Sequence, residues 1–76
     1  MTFFIKEISE KTQCISMEDA IKRLQKDFKN KSVTLQFKRS NGLNKIIHID
    51  VRNDSSLIRS FSGQEITTEY LTQLTN

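Results

Sequence analysis

"SVTLQFKRSNGLNKIIHIDV", residues 32 to 51, decides the fold. Apolar side chains alternate with polar ones on both sides of "SNGLN": Val33, Leu35 and Phe37 before it, Ile47, Ile49 and Val51 after it. A period of two marks a half-buried strand, and Asn41-Gly42 between two such runs is the strongest short-range hairpin signal. The two clues disagree about register. A two-residue Asn-Gly turn pairs Ser40 with Leu43, which sets Phe37 against Ile46 and Leu35 against His48. Pairing Phe37 with Ile47 and Leu35 with Ile49 requires a three- or five-residue loop, or a bulge. A slip of one residue would put Ile46, His48 and Asp50 in the core, so burial decides, and the longer loop is expected.

Upstream lies the clearest helical signal. In "ISMED" Ser16 is an N-cap with Asp19 three residues on, a near capping box, and Ile15 is placed to staple onto Ala20. Met17, Ala20, Ile21, Leu24 and Phe28 recur at helical spacing, which predicts a helix from 17 to about 29. Before it, "FFIKEI" (3–8) reads as a strand with Phe3 and Ile5 on one face and Phe4, Lys6 and Ile8 on the other, followed by "SEKTQC" as a polar connection. Downstream, "SLIRSFS" (56–62) reads as a weaker third hairpin strand. "GQEITTEYLTQL" reads as a closing helix capped by Thr67, with Ile66 and Leu71 as its staple.

These elements give the order β-α-β-β-β-α. The expected fold class is α+β, a two-layer sandwich with one mixed sheet backed by the helices, residues 1–76 forming a single small domain. A chain of 76 residues buries only ~60–65% of the surface its unfolded form exposes, so most apolar side chains are needed for the core. Hydrophobic content of 36% and charged content of 28% are an ordinary globular mix. The apolar run Phe3 to Ile5 is far short of a signal peptide or a membrane span, and the single cysteine, Cys14, fits a reducing compartment. A cytoplasmic location without membrane attachment is expected.

The charge pattern raises the question of nucleic acid. "KRLQKDFKNK" (22–31) holds Lys22, Arg23, Lys26, Lys29 and Lys31 against Asp27, whereas the whole chain is +3. Lys22, Lys26 and Lys29 form a stripe opposite the apolar face of the helix, where any amphipathic helix places its solvated residues. The acids fall in the first turn and most cations later, as the helix dipole favours. A wet helix face explains the stripe without a ligand. Lys38, Arg39 and Lys45 near the hairpin tip form a second basic spot. Beside the helix stripe, it would complete a phosphate-binding patch whose affinity falls steeply with salt.

The predicted open sheet face collects Phe4, Lys6, Gln36, Lys38, Ile46 and His48. An aromatic among basic and polar groups on a sheet is a platform for single-stranded bases. One Phe is thin for that purpose, and covering of Phe4 by the second helix or a dimer partner is the expectation.

Catalytic and metal chemistry find little footing. His48 and Asp50 share a strand face, but a stable metal site needs three or four ligands and there is no second histidine. Cys14 with His48 is the single thiol–imidazole combination available, and nothing local activates the thiol. Gly42 and Gly63 are too few for a phosphate-cradling loop. No catalytic, cofactor or metal residue is assigned.

The leading expectation is a small non-enzymatic protein-binding module, an adaptor or inhibitor. It would act through an open sheet face or an edge strand, with Phe4, Ile46 and His48 as contacts and an unspecified protein or a second copy of the chain as partner. Ile8 and Ile58 are expected on that same face. The alternative is weak, largely sequence-independent nucleic-acid binding through Lys22, Lys26, Lys29, Lys38, Arg39 and Lys45. The motif-free, Lys/Ile/Asn-rich composition is common among accessory proteins of phages and mobile elements, a statement about populations rather than about these residues.

Overall fold

The structure is a computed structural model that describes residues 2–53 and 58–76. The elements run β1 (Phe3–Glu7), β2 (Glu10–Cys14), α1 (Met17–Asp27), β3 (Lys31–Lys38), β4 (Asn44–Val51), β5 (Arg59–Ser60) and α2 (Thr68–Thr75). The strands form one five-stranded sheet in the order β2-β1-β3-β4-β5, and every neighbouring pair is antiparallel. The fold is thus a small α+β fold.

Two expectations are corrected here. "SEKTQC" is not a connection: its residues from Glu10 on, through Cys14, form β2 and pair with β1, Phe3 opposite Cys14 and Glu7 opposite Glu10. The chain reverses through Ile8 and Ser9, with Ile8 at φ 55. A β-branched residue in the left-handed region costs ~1–2 kcal/mol, and a tight turn ordinarily places Gly, Asn or Asp there. The extra strand also changes the sheet type. Because β2 reverses the chain before α1 crosses over, β3 enters antiparallel to β1, and the expected mixed sheet becomes wholly antiparallel.

The β3–β4 register resolves the conflict between turn and burial. Leu35 pairs with Ile47 and Val33 with Ile49. The loop has three residues, Ser40 to Gly42: the Arg39 N–H donates to the Leu43 carbonyl at 2.8 Å and the Gly42 N–H to the Arg39 carbonyl at 2.9 Å. The parity matches the expected longer loop, but the strands are displaced by two residues from the expected Leu35–Ile49 and Phe37–Ile47 pairs, which leaves every side chain on its predicted face. Gly42 has φ 85, as the last residue of such a loop requires. The chain's other glycine repeats the device. Ser60 N–H donates to the Gln64 carbonyl and Gly63 N–H, at φ 91, to the Ser60 carbonyl, both at 2.9 Å.

α1 starts as the sequence predicts, with Ser16 Oγ accepting the Asp19 N–H at 3.1 Å. Asp19 reaches back to the Ile15 N–H at 3.1 Å and also pairs with Arg23 at 3.3 Å. Ile15 is 80% exposed, so the expected staple onto Ala20 is not made. The helix ends at Asp27, Phe28 turns into the core, and Asn30 takes φ 63 to re-enter β3. α2 is capped by Thr67, whose hydroxyl accepts the Tyr70 N–H at 3.1 Å, and Ile66 and Leu71 are both buried. Its last turn is tied to the hairpin: the Ser40 N–H donates to the Thr75 carbonyl at 2.7 Å.

One core unites these parts. Phe3, Ile5 and Cys14 join Val33, Leu35 and Phe37 of β3, and Ile47, Ile49 and Val51 of β4, against Ala20, Leu24 and Phe28 and against Ile66 and Leu71. Phe3 and Phe37 pack with tilted rings, their centroids 5.1 Å apart. Ile58 is 2% exposed and belongs to this core rather than to the open face. Of the expected strand 56–62, Arg59–Ser60 is β5; Ser56 and Leu57 lie outside the described residues.

Candidate functional site

Strand alternation leaves a second set of side chains on the sheet face opposite the core. The register sets them in rows. One row runs Gln13, Phe4, Gln36, Ile46 across β2, β1, β3 and β4, and the next runs Lys11, Lys6, Thr34, His48. Ser32, Asp50 and Arg59 form a third, and Lys38 faces Asn44 near the hairpin tip. Phe61, first residue of the 61–63 loop, places its ring 5.9 Å from that of His48, and its N–H donates to the His48 carbonyl at 3.1 Å.

This face is apolar in the middle and basic around it. Ile46 is 52% exposed, Phe61 65% and Ile8 92%, while Phe4 is half-buried with the Lys11 ammonium 4.6 Å above its ring. Two adjoining grooves cross it. The larger, about 660 Å³, is lined by Phe4, Lys11, Gln36, Lys38, Ile46 and their neighbours. The second, about 440 Å³, is lined by Lys6, Ile8, Thr34, His48, Phe61 and again Gln36 and Ile46.

The electrostatics are lopsided. Among the described residues the pairing places four cations (Lys6, Lys11, Lys38, Arg59) and two acids (Asp50, and Glu65 bridged opposite Arg59) on this face. That sum is +2, against a formal charge of +3 for the whole chain. The chain has 12 cations and 9 acids in all, so the remaining eight cations and seven acids nearly cancel. Lys6 and Lys11 stand directly opposite each other, a like-charge pairing that costs stability. On the other side of the same hairpin Glu7 opposes Glu10, and there Lys31 relieves the repulsion with an ion pair to Glu7 at 3.2 Å.

The sequence-derived candidates divide accordingly. Phe4, Ile46 and His48 do share one face. Phe4 lies on the outer side of the sheet and not against α2. Lys22 and Lys26 are exposed on the side of α1 away from Ala20 and Leu24, and hence away from the sheet, whereas Lys29, expected on the same helix, is exposed in the turn beyond its end. Acids are interleaved there, Asp19 and Asp27 lining one shallow depression with Lys22, Arg23 and Lys26. Of the hairpin-tip cations only Lys38 reaches the outer face. Lys45 falls on the side of Phe37, and Arg39 donates through Nη2 to the Asn76 carbonyl at 3.2 Å. Its Nε is buried without a hydrogen-bond partner. The helix stripe and Lys38 therefore lie on opposite sides of the sheet. Lys11, Arg59 and Phe61 were not among the candidates. The alternation of "KTQC", with Lys11 and Gln13 out and Thr12 and Cys14 in, is the signal that could have found Lys11.

Cys14 is fully buried, and burial, assisted by Asp19 and partly offset by Arg23, pushes its thiol pKa up. It faces the core while His48 faces outward, so the thiol–imidazole pair is not assembled. Among the described residues no group of three or more His, Cys, Asp or Glu side chains could hold a metal ion, and no helix is long and apolar enough to cross a membrane. No protein-family model matches the chain, and the comparisons with curated proteins and with solved structures likewise give no match.

Proposed function

We propose that this chain is a small non-enzymatic binding module that acts by seating a partner on the outer face of its sheet. The observation that carries the reading is the cluster of exposed Ile46 and Phe61 with half-buried Phe4 on that face, while the helices pack against the other. In a domain of this size, apolar side chains withheld from the core represent burial that folding does not use. The arrangement is that of a two-layer sandwich with the sheet's second face unlayered. An adaptor or inhibitor with a protein partner, or a homodimer closing face to face, is one occupant of such a surface, and β2 offers it an edge for strand pairing. The reducing cytoplasm is the setting that a single buried thiol fits. A second reading, nucleic acid, is favoured by a specific observation: this face is net positive, whereas the three cations and three acids of α1 balance.

A photo-crosslinking residue in place of Ile46 or Phe61, introduced in cells that make the protein, should give covalent adducts. The same residue in place of Lys22 or Lys26 should give few. Adducts from the helix positions alone would overturn the reading. Degradation of the adduct by protease or by nuclease reports the class of the partner.

A further inference from the structure

The outer face carries more than exposed apolar surface, and its chemistry selects among occupants. We infer that the partner is a single-stranded nucleic acid, laid across the sheet from Phe4 to Phe61. This rests on the outer face being the binding surface and adds the ligand class.

Three observations converge. First, the face presents two aromatic rings, not one: Phe61, exposed, and Phe4, half-buried, with the Lys11 ammonium over it that a stacking base would displace. Phe4 on β1 and Phe61 beyond β5 are separated by three strand spacings, about 14 Å, which spans a few nucleotides of a splayed single strand. Between them Ile46 and the His48 ring add apolar and flat contact, with Gln36 set between Phe4 and Ile46. Second, the cations flank these side chains. Lys6, Lys11 and Lys38 line the two grooves beside Phe4 and Ile46, so phosphates could run along the rim while bases stack inside. Third, Lys6 and Lys11 are opposed across the β1–β2 pair, and among the described residues neither forms an ion pair. An anion shared between them converts a destabilising pair into a binding contact.

A protein partner accounts for the apolar residues but not for three lysines, Lys6, Lys11 and Lys38, lining the grooves while the two acids, Asp50 and Glu65, stand beside Arg59. Duplex DNA accounts for the charge but not for the aromatic rings, because paired bases do not offer their faces for stacking. Polar side chains that could order a strand without reading its sequence, Gln13, Gln36 and Thr34, fill the rest of the rows.

The test is fluorescence anisotropy with labelled oligothymidine and a mixed-sequence RNA of about 12 nucleotides, and a DNA duplex of the same length, at about 50 and 200 mM salt. The single strands should bind several-fold more tightly than the duplex. The slope of log affinity against log salt should be about −2 to −3, for three or four phosphates contacted. Phe61→Ala should weaken single-strand binding by about 5- to 150-fold, the range for loss of one stacked base. Lys6→Gln with Lys11→Gln should lower the salt slope by about 1 to 1.5, whereas Lys22→Gln with Lys26→Gln should change neither quantity. Phe61 and both lysines are exposed, so each variant should melt no lower than the parent, the double lysine variant somewhat higher, and a thermal melt checks that each is folded.

Absence of single-strand binding at the lower salt overturns the inference. Where sedimentation also shows self-association that Phe61→Ala disrupts, the outer face stands as the binding surface and only the ligand class fails. Equal affinity for duplex with loss on the helix substitutions overturns both.

Discussion

Ile49→Asp should abolish cooperative folding, while Ile46→Asp, three residues away on the same strand, should leave the protein folded. Ile49 is fully buried between Val33 and Ser60, and Ile46 is 52% exposed on the other face. The aspartate at 49 forfeits the burial of the isoleucine, ~1.5–3 kcal/mol. It also forces either an unpaired carboxylate or a protonated one into an apolar core, a further cost of several kcal/mol. A domain of this length has about 4–11 kcal/mol to lose at the ordinary ~0.05–0.15 kcal/mol per residue. The far-ultraviolet dichroism of Ile49→Asp should lose its strand signal and show no thermal transition. Ile46→Asp should melt within a few degrees of the parent, because exposed substitutions usually fall within about 0.5 kcal/mol. The reverse outcome would mean that the hairpin is slipped by one residue and that the outer face has been assigned to the wrong side chains.

Leu24→Ala is expected to lower the unfolding free energy by about 2–5 kcal/mol, up to half or more of the total. Leu24 has no exposed surface and lies centrally in the apolar stripe that docks α1. The helix packs on β1 and β2 at one side of the sheet and on α2, so it has few other anchors. Its own propensity cannot hold it, since 11 residues are below the length at which isolated helices persist. In urea the midpoint should fall with the slope unchanged, the mark of lost stability and not of a changed unfolded state. Lys22→Ala on the opposite side of the same helix should move the midpoint negligibly.

How far the sequence could be read follows from where its local signals agree with its packing. α1 and α2 were legible because cap, periodicity and burial all point one way at Ser16 and Thr67. The core face of β3 and β4 was legible because parity is a strong constraint, and a two-residue shift preserves it. The exact pairing was not, because Asn41-Gly42 signals a tight turn and the chain spends Ser40 in a three-residue loop instead. β2 was hidden for a related reason. Its turn, Ile8-Ser9, contains neither Gly, Asn, Asp nor Pro, and its strand is too polar to declare a buried face except through Thr12 and Cys14. Missing that strand cost the sheet type and two side chains of the outer face, Lys11 and Gln13. Phe61 was seen only as part of a weak strand, and nothing local says that its loop folds back beside His48.

The charge carries the same lesson at larger scale. The run from Lys22 to Lys31 looks like the basic feature of the chain, yet in the fold Arg23 pairs with Asp19, Lys31 pairs with Glu7, and the stripe faces away from the sheet. Lys6, Lys11, Lys38 and Arg59 are scattered over more than 50 positions of sequence, and only the strand register assembles them around Phe4 and Ile46.

Amide chemical-shift mapping of the isotopically labelled protein titrated with oligothymidine tests the central claim most directly. Perturbations concentrated at Phe4, Lys6, Lys11, Gln36, Ile46, His48 and Phe61, with α1 silent, are the result expected of a module that binds on the outer face of its sheet. Perturbations centred on Lys22, Lys26 and Lys29, or none at any residue, would contradict it.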